Sequence, residues 1–534
     1  MKWTSKNISS SPKLTYIIVA TTIVSFCSII YELLFAQALT VIFGGTVTRY
    51  SVTIGLFLFS LGIGSYLYSY LPKNRKKNFF IIEIILSITG PLGLFYIFLL
   101  NGSELTGLLP HWFILTISHL PIIVVGILSG LELPHLSSFF KTKNTSTFSE
   151  VLGFDYIGGL LGTLTYALLL YPNLGLITTV IVIGLLNSLV ALGFGFLYFF
   201  KKKIFLAIGI ITVIIMTLGL SFSDTIEDKI TTYTFEKQIE NKYERLGTQI
   251  DANITHHFNT KYQQVILYEY NLIEHGDITT TCLALDLQNQ VCNLTKYYHY
   301  GLIDVPMSFL DNKKEKEVLL LGGGDWIPQK ELIKFPNVQI DHVDIDNEFY
   351  EFTKNFSFTQ QFHENSYKSP KVNTINKDAY HFSRTTNKKY DLIVVDLPGI
   401  EHDKMLPLYS KEFYYNLNNL LKEEGLLVTW LYPEEDTNGL FEKSNKVIKS
   451  TFESAGFDYY FPYNSYKKIP GYETITMDKL ILLSNEKRKT PHFNETQYLK
   501  NHKQTYKNIN WKIMNKTIKP NSLLNPNYDI IAYH

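Results

Sequence analysis

The chain has few cysteines, almost no net charge and, across its first two hundred residues, long stretches with few charges of either sign. Each scarcity excludes something. Three cysteines, Cys27, Cys282 and Cys292, show no metal-ligand spacing, and so odd and sparse a set argues against a disulfide scaffold. Lysine and arginine number 49 against 48 acidic residues, a net charge of +1, so no overall field draws in nucleic acid. No basic face interleaved with aromatics takes its place. None of the 14 histidines falls into metal-site spacing. No internal repeat or low-complexity tract is evident, which removes repeat arrays from consideration.

What is present divides in two. The 534 residues exceed a single core, and a mean hydropathy of +0.04 averages an apolar half with a polar one that begins near Ser221 to Lys229. The first half holds about seven segments long enough to span a bilayer, which takes roughly 20 apolar residues each. They fall near 14–43, 50–71, 78–100, 112–136, 151–171, 174–200 and 204–221. The first is too long for a cleaved signal peptide. Glu32, Glu132 and Asp155 lie in or at the ends of these spans, where a charge is costly unless it faces a partner or a cavity. They are functional candidates, with structural pairing, Arg49 included, as the plainer alternative. GGLLG and GIGS supply small residues for close helix packing. Lys2, Lys6 and Lys13 precede the first span, KNRKK follows the second, Lys141 and Lys143 the fourth, and Lys201 to Lys203 the sixth. All lie on one side, which puts the N-terminus inside. Seven spans would then leave the second half outside.

That half alternates strand-like and helix-like stretches, the pattern of a parallel sheet with crossover helices. The strands expected are VLLLG from Val318, VQIDHVDID from Val338, VNTIN from Val372, YDLIVVD from Tyr390, GLLVTWL from Gly425 and KLILLS from Lys479. Ahead of them YQQVILYEY and CLALDLQNQ read as a small antiparallel cap. The expected organisation is a transmembrane bundle over 1–221, a linker and β-rich cap over 222–310, an α/β Rossmann-like domain over 311–486 and a peripheral tail over 487–534.

The stretch LLLGGGDW, Leu319 to Trp326, is a buried strand that stops at Gly322, Gly323 and Gly324. Ligands of such sheets bind at the carboxyl ends of the strands, and glycines let a ligand lie against backbone. A dinucleotide would want a third glycine where Ile327 stands, and Asp325 disfavours phosphate. Asp344 ends the second strand, where a carboxylate accepts from both ribose hydroxyls. Asp378 ends the third, placed to meet an adenine amino group. Each acid alone reads equally as a turn residue or cap. Three at successive strand ends describe a nucleoside pocket without phosphates, as in S-adenosyl sulfonium sites.

Here LLLGGGDWIPQKEL, HVDIDNEF, NKDAY and YDLIVVDLPGIEHDKMLPLYSKEFYYNL with EEGLLV resemble the spermidine synthase, or polyamine aminopropyltransferase, family. The resemblance extends to its membrane-fused members through IIYELLFAQ, GLELPHL and FDYIGGLLGT. It implies an α-helical transmembrane bundle followed by an α/β Rossmann-like domain of the class I methyltransferase type with a small N-terminal β cap. It implies an enzyme that moves an aminopropyl group from decarboxylated S-adenosylmethionine to an amine such as putrescine. No tightly bound cofactor or metal is expected. By position, Asp344 would bind ribose, Asp378 with Ala379 the adenine side, and Gln263 and His299 the donor, with Gly322 to Gly324 beneath it. Asp325 would hold the aminopropyl ammonium, Asp396 would be the central acid of transfer assisted by Tyr298, and Tyr409 would line the acceptor side. The partners expected are a small-molecule amine, the lipid bilayer and a second copy of the chain.

Decarboxylated S-adenosylmethionine ends in an ammonium, whereas S-adenosylmethionine ends in a zwitterion, so a carboxylate at Asp325 attracts the first and repels the second. Several positions depart from the family pattern: Lys296 and Tyr300 where acids are usual, Gly399 after DLP, and Trp326 where a glycine is usual, expected to narrow or cover the donor pocket. The nucleoside half is intact while the diamine half has lost carboxylates. Two alternatives stay open: a transferase using S-adenosylmethionine itself, and a membrane sensor or transport-coupled protein that binds the nucleoside without turnover. Placement is also in conflict. Loop charges with seven spans put the catalytic half outside, but cosubstrate supply weighs more, so the catalytic domain is expected in the cytoplasm, which one re-entrant or missed segment would restore.

Overall fold

The computed structural model describes every residue except 1–11, 44–46, 104–108, 140–144, 246–247, 273–278, 287, 294–296, 312, 401–402, 433–439, 469–473, 489–495, 508, 515–517 and 531–534. Lys2, Lys6, Lys141, Lys143 and Lys296 lie outside the described residues. The chain divides into two compact units, Met1–Ala252 and Asn253–His534.

The first unit is helical: α1 (Pro12–Phe43), α2 (Val47–Leu67), α3 (Arg75–Asn101), α4 (His111–Ser118), α5 (Leu120–Ser138), α6 (Thr145–Thr165), α7 (Tyr171–Phe199), α8 (Lys203–Ser221) and α9 (Ser223–Arg245). Among the described residues six helical stretches are long and apolar enough to cross a membrane, one fewer than expected, because 149–199 forms a single stretch of 51 residues. At 1.5 Å per residue that is roughly 75 Å, more than twice a hydrocarbon core of about 30 Å. The stretch is not one rod. A π turn at Tyr166–Leu170 is followed by Gly175 at φ 68°, ψ −168°, a conformation only glycine adopts without strain.

Contacts show what that break does. A Cβ on Gly158 would lie 2.3 Å from Thr22 O and one on Gly162 2.5 Å from Ile29, so α6 runs in the same direction as α1. Gln37 Nε2 donates to Tyr171 Oη at 3.0 Å while Tyr16 donates to Val190 O, so α7 runs the opposite way. The same logic covers the others. Gly90 meets Tyr31 and Gly93 meets Phe35, so α3 follows α1, and Pro121 lies against Gly93 while Glu132 meets Glu83, so α5 opposes α3. Phe57 beside Gly126 and Leu61 beside Gly130 align α2 with α5. Gly209 at Leu192 and Gly219 at Ile181 oppose α8 to α7. Directions therefore alternate through seven elements: α1, α2, α3, α5, α6, α7 and α8.

Arg49 donates to Phe43 O. Glu132 faces a second acid, Glu83 of α3, and the two carboxyls interact. Both are buried, Glu83 completely. Asp155 adds to the charge felt by Glu132.

The second unit opens with a four-stranded sheet, β1 (Ile250–Asn259), β2 (Gln264–Leu272), β3 (Thr279–Leu285) and β4 (Gln288–Cys292), in that order. Cys282 and Cys292 are register partners on β3 and β4 and form a disulfide. The one bond clips a hairpin and builds no scaffold. Helix α10 (Tyr297–Met307) leads to β5 (Lys316–Gly322), α11 (Ile327–Ile333), β6 (Val338–Asp344), α12 (Asn347–Asn355), α13 (Ser357–His363), β7 (Val372–Asn376), α14 (Ala379–Thr385), β8 (Tyr390–Asp396), α15 (Lys411–Asn419), β9 (Leu421–Leu431), α16 (Leu440–Ser454), β10 (Tyr459–Lys468), β11 (Thr474–Ser484), α17 (Gln497–Lys507) and β12 (Lys512–Ile513).

These strands form one sheet in the order β12-β10-β11-β9-β8-β5-β6-β7. Strands β5 to β9 pair in parallel and β11 joins antiparallel to β9, so the last expected strand is present with its direction reversed. Period-2 alternation sends Leu319 and Leu321 to one core and Val318 and Leu320 to the other. Burial on both faces explains why VLLLG is apolar throughout. Part of the tail expected at the periphery is packed instead: α17 buries Tyr498, Leu499, His502 and Tyr506, and Asn521 Nδ2 donates to Leu406 O and Tyr409 O at 2.9 and 3.0 Å.

Close helix approach in the first unit is testable. A Cβ on Gly64 would lie 2.1 Å from Ile127 O, whereas one on Gly62 would meet nothing within 4 Å. Gly64→Ala should destabilise the solubilised protein by about 1–3 kcal/mol through overpacking, and Gly62→Ala should not. Thermal melts of the two variants compare them directly.

Candidate active site

The site grows from a pair of neighbouring strand ends. Gly322 at the end of β5 is the register partner of Asp396 at the end of β8. Gly322 has φ 81°, and a Cβ there would lie 2.0 Å from Asp396 O. No other residue fits that approach. Gly323 N donates to Asp396 O at 3.2 Å, tying the glycine turn to the acid's backbone. A Cβ on Gly324 would meet Asp344 Oδ2 at 2.9 Å, so the turn also lies against the acid that ends β6.

Helix α10 brings two side chains to these strand ends. Tyr298 Oη donates to Asp396 Oδ1 at 2.8 Å, and His299 Nε2 lies 3.4 Å from Asp325 Oδ2. Asp325 Oδ1 accepts from Ile327 N at 3.0 Å. Asp325 is thus partnered by imidazole and backbone. Burial pushes the Asp396 carboxyl up to about 6, the His299 charge opposes this, Asp325 adds to it, and the Tyr298 hydrogen bond lowers it. Burial also pushes Asp344 up to about 7, eased by its hydrogen bond from Asp346 N and reinforced by Asp346, Asp325 and Asp396. Burial disfavours charge on His299, but Asp325 and then Asp396 outweigh it and hold the imidazole above its ordinary value. Burial and Asp396 keep the Tyr298 phenol well above its own.

The remaining expected residues are placed as follows. Asp344 Oδ1 accepts from Asp346 N at 2.8 Å. Gln263 Nε2 donates to Asp346 Oδ2 at 2.9 Å, which anchors the start of β2 to the loop after β6. Asp378 is exposed and caps α14, accepting from His381 N at 2.6 Å, with Ala379 buried behind it. Tyr409 is buried with its hydroxyl engaged: it donates to Pro398 O at 2.8 Å and accepts from Trp430 Nε1 at 2.9 Å. It braces the loop after Asp396.

Three departures from the family pattern acquire physical reasons. Trp326, expected over the donor pocket, is instead buried, donates to Tyr350 O at 3.0 Å and stacks edge-on against His342. Its φ of 68° turns the ring away from the glycine turn. The space an acid would need at Gly399 is held by Gln288 of β4, whose amide lies 2.9 Å from where a Cβ would stand. Tyr300 faces Tyr498, ring centroids 5.5 Å apart, with the Lys334 ammonium 5.3 Å over its ring. Sequence reasoning missed Gln288, and it missed Asp346, buried at the N-cap of α12 where it accepts from Phe349 N, Gln263 and Thr260. The D-x-D spacing of Asp344 and Asp346 followed by a helix was the available signal.

Residues 295–478 match the model of the spermine/spermidine synthase domain family. The chain is 31% identical over 444 residues to polyamine aminopropyltransferase 2 of Aquifex aeolicus, covering 82% of each chain. It is 29% identical over 460 residues to the polyamine aminopropyltransferase of Leptospira interrogans, covering 85% of each. The chain belongs to the polyamine aminopropyltransferase family. It is an aminopropyltransferase with a Rossmann-like catalytic fold. A solved spermidine synthase from Thermotoga maritima aligns at 20% identity with a TM-score of 0.36, covering 45% of this chain and 75% of that one. The family match begins just ahead of α10 and ends at Asp478 of β11, so it includes Tyr298, His299, Asp325, Asp344, Asp378 and Asp396.

The hydrogen bond from Tyr298 favours the charged form of Asp396. Tyr298→Phe removes it, so the Asp396 carboxyl should titrate at higher pH and the acid limb of the transfer rate should move alkaline. The pH profile of kcat/KM for the variant reads this. A profile that keeps its limb while falling uniformly in height would assign Tyr298 a purely structural part.

Proposed function

We propose that this aminopropyltransferase uses decarboxylated S-adenosylmethionine as donor and an amine as acceptor, from a membrane-embedded chain. The Tyr298–Asp396 hydrogen bond at the strand end beside the glycine turn carries the reading. Asp344 would take the ribose hydroxyls, Asp378 and Ala379 the adenine side, and Gln263 and His299 would shape the donor pocket over Gly322 to Gly324. Asp325 would meet the donor's ammonium beside the His299 imidazole. Tyr409 supports the acceptor side through the loop it braces.

The reaction is an in-line displacement. The acceptor nitrogen's lone pair forms a bond to the methylene beside the sulfonium, and the carbon–sulfur bond breaks with its pair staying on sulfur. The products are the aminopropylated amine and methylthioadenosine. The nitrogen's excess proton passes to Asp396. A carboxyl that titrates near 6 is ionised at neutral pH and is a stronger base than an ordinary aspartate. Positioning of the two reactants supplies the rest of the acceleration.

Two substitutions separate the roles. Asp325→Asn should weaken the decarboxylated donor by about 1.5–3 kcal/mol, the value of a hydrogen bond to a charged group, while sparing methylthioadenosine, which lacks the ammonium. Asp396→Asn should leave methylthioadenosine bound and slow transfer by roughly 10²-fold or more. Calorimetric titration and turnover assays of both variants check this. Uniform weakening of every ligand at Asp325, or no turnover by the unmodified protein across a broad amine panel, would favour the nucleoside-binding membrane protein without catalysis.

For placement, we read the seven alternating elements as seven crossings, with the lysine-rich loops on the cytoplasmic side. The alternation supports no re-entrant element among the described residues. The chain then leaves the bundle on the outer side. The Cys282–Cys292 disulfide supports this independently, because such bonds persist in oxidising compartments. The donor would have to reach the site from that side. An alkaline phosphatase reporter fused after His534 should be active. An inactive phosphatase together with a fluorescent green fluorescent protein fusion at the same point would return the catalytic domain to the cytoplasm.

A further inference from the structure

The acceptor half lacks the acids that the family pattern leads one to expect, and a protonated diamine needs a carboxylate for its far end. Gln288 occupies the space at Gly399, and Tyr300 faces Tyr498 and Lys334. A different acid stands beside α10. Between the pairs Asn464↔Lys479 and Tyr466↔Thr476 the register of β10 and β11 shifts. Ser465 therefore faces two residues of β11, Met477 and Asp478. Such a bulge re-aims a side chain, and this one is fastened at its centre. Asp478 N donates to Ser465 Oγ at 3.0 Å, and Ser465 Oγ donates back to Asp478 Oδ2 at 3.3 Å.

The bulge is seated under the helix that carries the catalytic tyrosine. A Cβ on Gly301 would lie 2.7 Å from Ser465 Cβ, and Tyr463 Oη donates to Gly301 O at 3.1 Å. Gly301 is one helical turn beyond Tyr298. Ser465 is fully buried, while Asp478 keeps exposed surface as a residue even though its carboxyl is desolvated enough to be raised above its ordinary value, so the acid is anchored in a partly enclosed position. Its charge is felt by Tyr298 and it interacts with His299, the two α10 residues that contact Asp396 and Asp325.

We propose that Asp478 is an ammonium subsite of the acceptor pocket, holding the protonated far end of a diamine while Asp396 receives the reacting nitrogen. The inference rests on the aminopropyl-transfer reading with Asp396 at its centre. It gives the acceptor a chemical class: an amine with a second positive charge. It also explains how a chain with glycine at 399 still binds such a molecule. An anchored carboxylate fixes one end of a flexible cation, which lowers the orientational freedom lost on reaction.

The test compares putrescine with n-butylamine, which keeps the reacting nitrogen and lacks the second charge. In the full-length solubilised protein, Asp478→Asn should raise the KM for putrescine at least tenfold, change the KM for n-butylamine several-fold less, and leave methylthioadenosine affinity unchanged. Ser465→Ala, which loosens the carboxylate without removing it, should raise the putrescine KM by less. Equal losses for the two amines, or an unchanged putrescine KM, would overturn the proposal. If the unmodified protein binds methylthioadenosine but transfers to neither amine, the catalytic reading fails by itself. Putrescine binding to the methylthioadenosine complex, followed by calorimetry, then decides the subsite. Weaker binding in Asp478→Asn supports it, and equal binding overturns it.

Discussion

The approach of Gly322 to the backbone of Asp396 is the constraint from which the catalytic half is organised. Because the two residues are register partners on β5 and β8, the glycine turn and the central acid are one piece of backbone geometry. The turn then sets Asp325, whose carboxylate receives Ile327 N and His299. Helix α10 must lie where Tyr298 and His299 reach both acids at once. Its neighbours on β10 and β11 hold it there through Ser465 and Tyr463. A shift of any one of these elements would break several charged contacts together, which is the sense in which a rigid scaffold preorganises a site.

Much of this was legible because the strands are short, apolar on both faces and terminated by acids. VLLLG, VQIDHVD and YDLIVVD announce themselves by composition, and Asp344 and Asp396 are the acids on which two of them end. CLALDLQNQ, by contrast, read as one strand, runs from β3 through a turn into β4, and β1 was not expected. Side-chain direction was not legible. Trp326 looks like a pocket lid because it follows GGGD, yet a left-handed backbone turns it into the core, where its indole finds Tyr350 O. Asp478 was overlooked because it sits inside a strand, where alternation alone says nothing about a bulge that re-aims it.

The helical unit shows the same division. Hydropathy divides this apolar stretch into 151–171 and 174–200, and the break at Gly175 falls at that division. What composition leaves open is direction, and the partners of α6 and α7 show that the chain turns back there. Glu83 was missed for a related reason: a single acid in a long apolar helix has no pattern, and its meaning appears only when Glu132 is found facing it. The disulfide depends on pairing too, since Cys282 and Cys292 become neighbours only through the register of β3 and β4.

Electrostatics join the site to its ligand. Burial first, and then the nearness of Asp325, Asp344 and Asp396 to one another, pushes the Asp396 carboxyl up to about 6 and that of Asp344 up to about 7. Asp325 and Asp396 in turn hold the His299 imidazole above its ordinary value against the effect of burial. The proposed donor brings a sulfonium and an ammonium, and a diamine brings a further charge after its reacting nitrogen has lost its proton. Cations arriving among these acids favour their ionised forms, so under the proposed reaction binding would itself drive Asp396 toward the state in which it accepts a proton. The sulfonium charge disappears on transfer and methylthioadenosine leaves as a neutral thioether. The same acids therefore hold the reactant more strongly than this product, which favours release at the end of the cycle.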